Sequence, residues 1–143
     1  MTGPDRDVVV RRLDAMRNLL DHLEGLRVTS AGDLADLGVR LQVERVLTQV
    51  VNLAVEINAH VVTTVRGRPP ADYQTGFDRM VECGWLDPHL AQVLKPSVGL
   101  RNVLTHEYVD TDLDLVATAV PLALRDYRAY IRSVAAAILS QSS

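Results

Sequence analysis

Apolar side chains recur along this chain at steps of three and four residues, and no run alternates with period two. Val9, Leu13, Met16, Leu20 and Leu23 form the first such stripe. A 3.6-residue period marks amphipathic helix and a two-residue period marks strand, so the pattern confines the chain to an all-α fold. Asp5 and Asp7 stand where carboxylates complement a helix dipole, and Gly25 marks the first stop. Ser30 and Asp33 read as a capping box opening a short helix that ends near Gly38. A long helix then spans about residues 39–66, apolar over so wide an arc that it belongs at the centre of a bundle. Its remaining stripe is polar: Arg45, Gln49, Asn52, Glu56, His60 and Thr63. Gly67-Arg68-Pro69-Pro70 ends it. Residues 72–83 form the next helix, terminated by Gly84. Asp87-Pro88 starts another, expected to reach about residue 107 with a kink before Pro96. Asp110, Thr111 and Asp112 make a turn and cap. A last helix over residues 113–139 carries Pro121, a second expected kink. The expected architecture is a helical bundle of four main helices plus one or two short ones.

The 143 residues fit a single domain, 1–143, with room for a core that needs no disulfide or metal staple. A net charge of −3 announces no broadly basic nucleic-acid surface, and no DNA-binding role is expected. The six aromatic residues are too few for a base-stacking sheet. Fourteen of the fifteen basic residues are Arg, a skew that a GC-rich genome accounts for; only Lys95 is Lys. A lone Cys83 forms no internal disulfide and no Cys-based zinc site, and reads as a small, at least half-buried thiol. No apolar run approaches the roughly 18 residues of a membrane span, and no secretory leader shows at Met1–Val10. A cytoplasmic setting without membrane contact is therefore expected. GxGxxG and GxxxxGK[ST] are both absent, so neither dinucleotide nor P-loop chemistry is indicated and no cofactor is expected. No His pair at i, i+4 and no carboxylate cluster indicates a metal.

Chemistry concentrates between Leu100 and Asp110, where Arg101, Asn102, His106 and Tyr108 fall within eight residues. At helical spacing Arg101, Thr105 and Tyr108 lie within about 60° of one another. Asn102 and His106 share an adjoining face, four residues apart. Imidazole titrates near pH ~6.5 and can take or give a proton. Guanidinium presents a planar, permanently charged fork to a phosphate. Together they approach the minimum for cutting RNA without a metal: His106 as acid or base, Arg101 holding the charge that grows on phosphorus. One His cannot be acid and base in the same step, so a two-fold dimer pairing two such segments around one cleft completes the set.

The segment Arg101-Asn102-Val103-Leu104-Thr105-His106-Glu107-Tyr108 resembles the Arg-Asn-x-Leu-x-His-x-Tyr signature of the HepT family. These are HEPN-domain toxins of the HepT/MntA toxin–antitoxin systems. The resemblance extends over most of the chain. It takes in the helical order, the approach Val98-Gly99-Leu100, the Asp-rich turn after Tyr108 and the central helix with Glu56 in its middle. It implies a HEPN-type bundle forming a two-fold homodimer, and a metal-independent endoribonuclease acting on cellular RNA such as tRNA. Arg101 and His106 would be catalytic, with Asn102 positioning the site. It also implies an MntA-like nucleotidyltransferase antitoxin that adds AMP to Tyr108. An added AMP would bring an anion one turn from Arg101, where RNA phosphate would otherwise sit.

The other polar residues have plainer readings beside functional ones. Glu56 either orients Arg101 across the bundle or pairs with a nearby Arg. His60 reads as a hydrogen-bonded helix residue, and His22 and His89 as surface residues. Asp110, Asp112 and Asp114 read as cap and turn. Two further readings keep the fold: a non-catalytic HEPN partner presenting Tyr108 to a nucleotidyltransferase, and a purely structural helical interaction module.

Overall fold

The computed structural model describes residues 3–106 and 111–141. They form six α-helices and one 3-10 turn, with no strand among the described residues. In order these are α1 (Arg6–Gly25), the turn (Ala31–Leu34), α2 (Leu37–Arg66), α3 (Tyr73–Glu82), α4 (Pro88–Leu94), α5 (Pro96–His106) and α6 (Leu113–Ser140). The all-α expectation holds, with α1, α2 and α6 as its three long members.

Five of the six helices start in the same way. Asp5, Asp36, Asp72, Asp87 and Asp112 each sit in extended backbone and accept from amides at the head of the following helix. Such caps satisfy donors that the first turn leaves without partners. Asp36 corrects one expected boundary. With its carboxylate on the Val39 amide at 3.1 Å, the long helix begins at Leu37, and Gly38 lies in its first turn instead of closing the segment before it. The capping box at Ser30 and Asp33 is present, opening a turn of four residues.

The helix expected to run from Pro88 to about residue 107 is two helices, separated at Lys95. Pro96 has no N–H to give the preceding turn, and its ring crowds the carbonyl four residues back. Lys95 keeps helical dihedrals and its N–H still reaches the Ala91 carbonyl, so α4 and α5 meet at a one-residue kink, as expected before Pro96. Lys95 is held at the break by Asp78 on α3, with Nζ 2.6 Å from the carboxylate. Pro121, by contrast, lies inside α6, which continues through it.

α2 packs against α1, α3, α5 and α6, which is why so much of its circumference is apolar. By length and composition α2 is apolar enough to cross a membrane, where the sequence reading expected no such run, but half of that stretch is buried inside the bundle. Phe77, Tyr127 and Tyr130 are fully buried around it, and Tyr130 meets the other two rings edge-on at 6.2 and 6.1 Å. Burial of each such ring contributes on the order of 1.5–3 kcal/mol. Both buried phenols have their pKa pushed above the ordinary value by desolvation. Tyr127 Oη meets Ser97 Oγ on α5, and Tyr130 Oη donates to Asn58 Oδ1 at 2.6 Å, so α6 is tied by polar contacts to both α5 and α2.

Candidate active site

α5 carries the described part of the signature segment, Arg101–His106. Val98 is its buried anchor, and Leu100 and Leu104 pack against the apolar cluster from partly buried positions. That orientation turns Arg101 toward α2 and leaves Asn102 and His106 exposed. Thr105 Oγ1 bonds back to the Arg101 carbonyl at 2.7 Å and so helps close the last turn.

The Arg101 guanidinium is fixed from three directions. Nε donates to Asn52 Oδ1 on α2 at 2.8 Å, and Nη1 donates to Asn102 Oδ1 at 2.9 Å. The Tyr73 ring at the head of α3 lies under it, 5.2 Å from Cζ to ring centroid. Cation–π contact and two amide acceptors orient the group without neutralising it. Nη2 has no partner among the described residues. The outward edge of the fork is thus free to accept a phosphate in bidentate fashion.

Glu56 is not one of these supports. Its carboxylate meets Arg12 on α1 at 3.1 Å, the second of the two roles its position allowed. The residue of that polar stripe that reaches Arg101 is Asn52, one turn earlier. The amide matters chemically: a carboxylate at this spot would pair with the guanidinium and neutralise it, whereas Asn52 orients the group and leaves its charge. Neither Asn52 nor Tyr73 stood out as a site residue in the sequence. The only signals were an Asn in mid-helix, where that residue is a poor former, and a Tyr shortly after a Pro-rich loop.

His106 is the last residue of α5 and is exposed to solvent. Tyr108 lies outside the described residues, as does Asp110. His60 is engaged, its Nε2 accepting from the Asp5 amide at 2.9 Å and linking the start of α1 to α2. Cys83 is half-buried. Among the described residues no three His, Cys, Asp or Glu side chains gather as a metal site requires.

Beside Arg101 a groove of about 480 Å³ runs between α2, α5 and α6, walled mainly by apolar groups such as Val50, Leu100 and Leu122. Leu115 and Leu122 on α6 line it while 48% and 45% exposed, and Val103 on α5 is 39% exposed. Side chains of this size at such exposure, clustered beside a charged site, mark a face suited to a protein partner.

The chain matches the model of the family described as "Ribonuclease HepT-like" over residues 13–134. It is 33% identical over 138 residues to a tRNA nuclease HepT of Aphanizomenon flos-aquae, covering 94% of this chain and 92% of that one. It is 20% identical over 125 residues to an mRNA nuclease HepT of Shewanella oneidensis, covering 87% and 94% respectively. Its fold superposes with a TM-score of 0.82 on a solved Shewanella oneidensis HEPN toxin, described as tri-AMPylated and in complex with MNT antitoxin. That match covers 92% of this chain and 99% of the other at 20% identity.

Proposed function

This chain belongs to the HepT-like ribonuclease family, and from that premise we propose that it is the toxin of a toxin–antitoxin pair. Its reaction is RNA cleavage at a cleft shared by two copies. The observation that carries the reading is the Arg101 guanidinium, held by two amides and a ring, with no carboxylate paired to it and no partner on Nη2 among the described residues. Such a group is prepared for a phosphate.

In the proposed reaction one His106 takes the proton of a ribose 2′-hydroxyl, whose oxygen attacks the adjacent phosphorus. Charge builds on the non-bridging oxygens against Arg101. The 5′-oxygen leaves with a proton from His106 of the second copy. The products are a 2′,3′-cyclic phosphate and a 5′-hydroxyl, and no metal takes part. The exposed apolar face of α5 and α6 is the surface on which the second copy packs, which brings the two α5 segments together. The tRNA nuclease is the more similar of the two named relatives, which favours tRNA over mRNA as substrate. The AMP-bearing Shewanella toxin supports an MntA-like nucleotidyltransferase as partner and Tyr108 as the acceptor of AMP.

The test is cleavage of a tRNA pool by the purified chain without added metal. Wild type cuts; His106→Ala loses at least about a hundredfold in rate, as removal of an acid–base group does, while remaining dimeric. Intact RNA after incubation with wild type sinks the reading. Incubation with the nucleotidyltransferase and ATP adds AMP mass to wild type and none to Tyr108→Phe.

A further inference from the structure

We propose that a small cleft beside Arg101 receives one nucleobase of the bound RNA strand, next to the phosphate that Arg101 grips. The inference rests on the ribonuclease reading and adds the place where the strand's sequence is read.

The cleft has a volume of about 180 Å³ and lies between α2, the α2–α3 connection and the first turn of α3. Pro69, Pro70 and Tyr73 form its walls, and Asn58 and Gly76 lie among its lining residues. Two proline rings and an aromatic ring make a slot for a flat, apolar-faced group, which is what a base offers. Tyr73 is also the ring beneath the Arg101 guanidinium, so cleft and phosphate site share a wall. Tyr73 is 50% exposed, leaving ring surface for a ligand.

Two features of the cleft are unexplained by the fold. Asn58 is only 1% exposed, its Oδ1 is taken by Tyr130, and its Nδ2 has no partner. A buried donor without an acceptor is costly, and every base carries an edge acceptor, a carbonyl oxygen or a ring nitrogen, that supplies one once the amide turns slightly toward the cleft. Gly76 stands in the first half of α3 with no positive φ to require it. A Cβ there would meet Asn58 Cβ at 3.5 Å, Pro70 Cγ at 3.6 Å and Asn58 Nδ2 at 3.7 Å, all ordinary contacts. Alanine therefore fits and would strengthen the helix, yet the chain keeps glycine and with it the space beside the Asn58 amide. The rim carries the Asp72 carboxylate, which repels a phosphate and leaves an uncharged ring as the favoured occupant.

The experiment titrates adenosine, cytidine, guanosine and uridine into the isotopically labelled full chain, following the Gly76 amide and the Asn58 side-chain amide by NMR. At least one nucleoside shifts both signals in wild type. Gly76→Ala loses the shift and melts at the same or a higher temperature. In parallel, a random-sequence single-stranded RNA pool is cut and its ends sequenced. Wild type favours one base at one position flanking the cut by about tenfold, the scale of a single stacked base, and Gly76→Ala falls toward even usage. No shift with any nucleoside, or a cut-site profile that Gly76→Ala leaves unchanged, overturns the proposal. Failure of wild type to cut at all removes the ribonuclease reading instead, and the wild-type titration then decides by itself whether the cleft takes a base.

Discussion

Arg101 owes its readiness to what surrounds it. An exposed guanidinium samples many rotamers, whereas this one has its Nε on Asn52, its Nη1 on Asn102 and its face on Tyr73. Asn52→Ala removes the one hydrogen bond that comes from another helix. A hydrogen bond to a charged group is worth about 1.5–3 kcal/mol, so cleavage of a tRNA pool should fall by about tenfold or more, with a moderate drop in the urea midpoint. Asn52→Asp keeps the geometry but adds a negative charge. It is expected to cut more slowly than Asn52→Ala, because the carboxylate draws the guanidinium away from phosphate. Equal rates for the two variants would argue that Asn52 acts only through packing. Arg101 and His106 were legible in the sequence because they sit five residues apart in one segment. Asn52 and Tyr73 were not, because their nearness to Arg101 spans 49 and 28 residues and arises only when α2, α3 and α5 pack.

At the scale of elements, the helices were legible wherever a 3.6-residue stripe met an Asp and a Gly or Pro boundary. The errors fell where a boundary depends on contacts. Pro96 signalled the disturbance, and the break falls at Lys95, whose ammonium is held by Asp78 from a different helix. Gly38 looked like an end because Asp36, the actual cap, stands two residues before it. The same caps give α3 a pH dependence. The Asp72 carboxyl is held below its ordinary 3.8 by the Thr75 hydroxyl and then by the Thr75 amide. A depressed folded value means the stabilisation is complete above the unfolded value and is lost as pH falls below it. Hydrogen exchange at Thr75 should therefore quicken as pH drops through that window, beyond the intrinsic trend, and Asp72→Asn should abolish the excess. Because Tyr73 is the first residue of α3, loosening this cap also loosens the ring under Arg101.

For the whole molecule, the question is what covers the face that α5 and α6 leave open. Leu122 is 45% exposed on the groove beside Arg101. Replacing it with Asp adds charge to a surface position, which costs the isolated bundle little. In a dimer the same charge would be buried without a partner, a penalty of several kcal/mol. Leu122→Asp should therefore run as a monomer in analytical ultracentrifugation with an unchanged helical CD spectrum, and lose cleavage. A dimeric Leu122→Asp would place the second copy on another face.

That open face also bears on dose. If two copies must meet before any RNA is cut, the active species grows with the square of the chain's concentration while the chain is scarce. A cell with a few stray copies then carries almost no nuclease, and a modest rise in synthesis crosses from harmless to damaging. The uncovered leucines of α6 would set that threshold through the strength of the pairing, independently of how fast the paired site cuts.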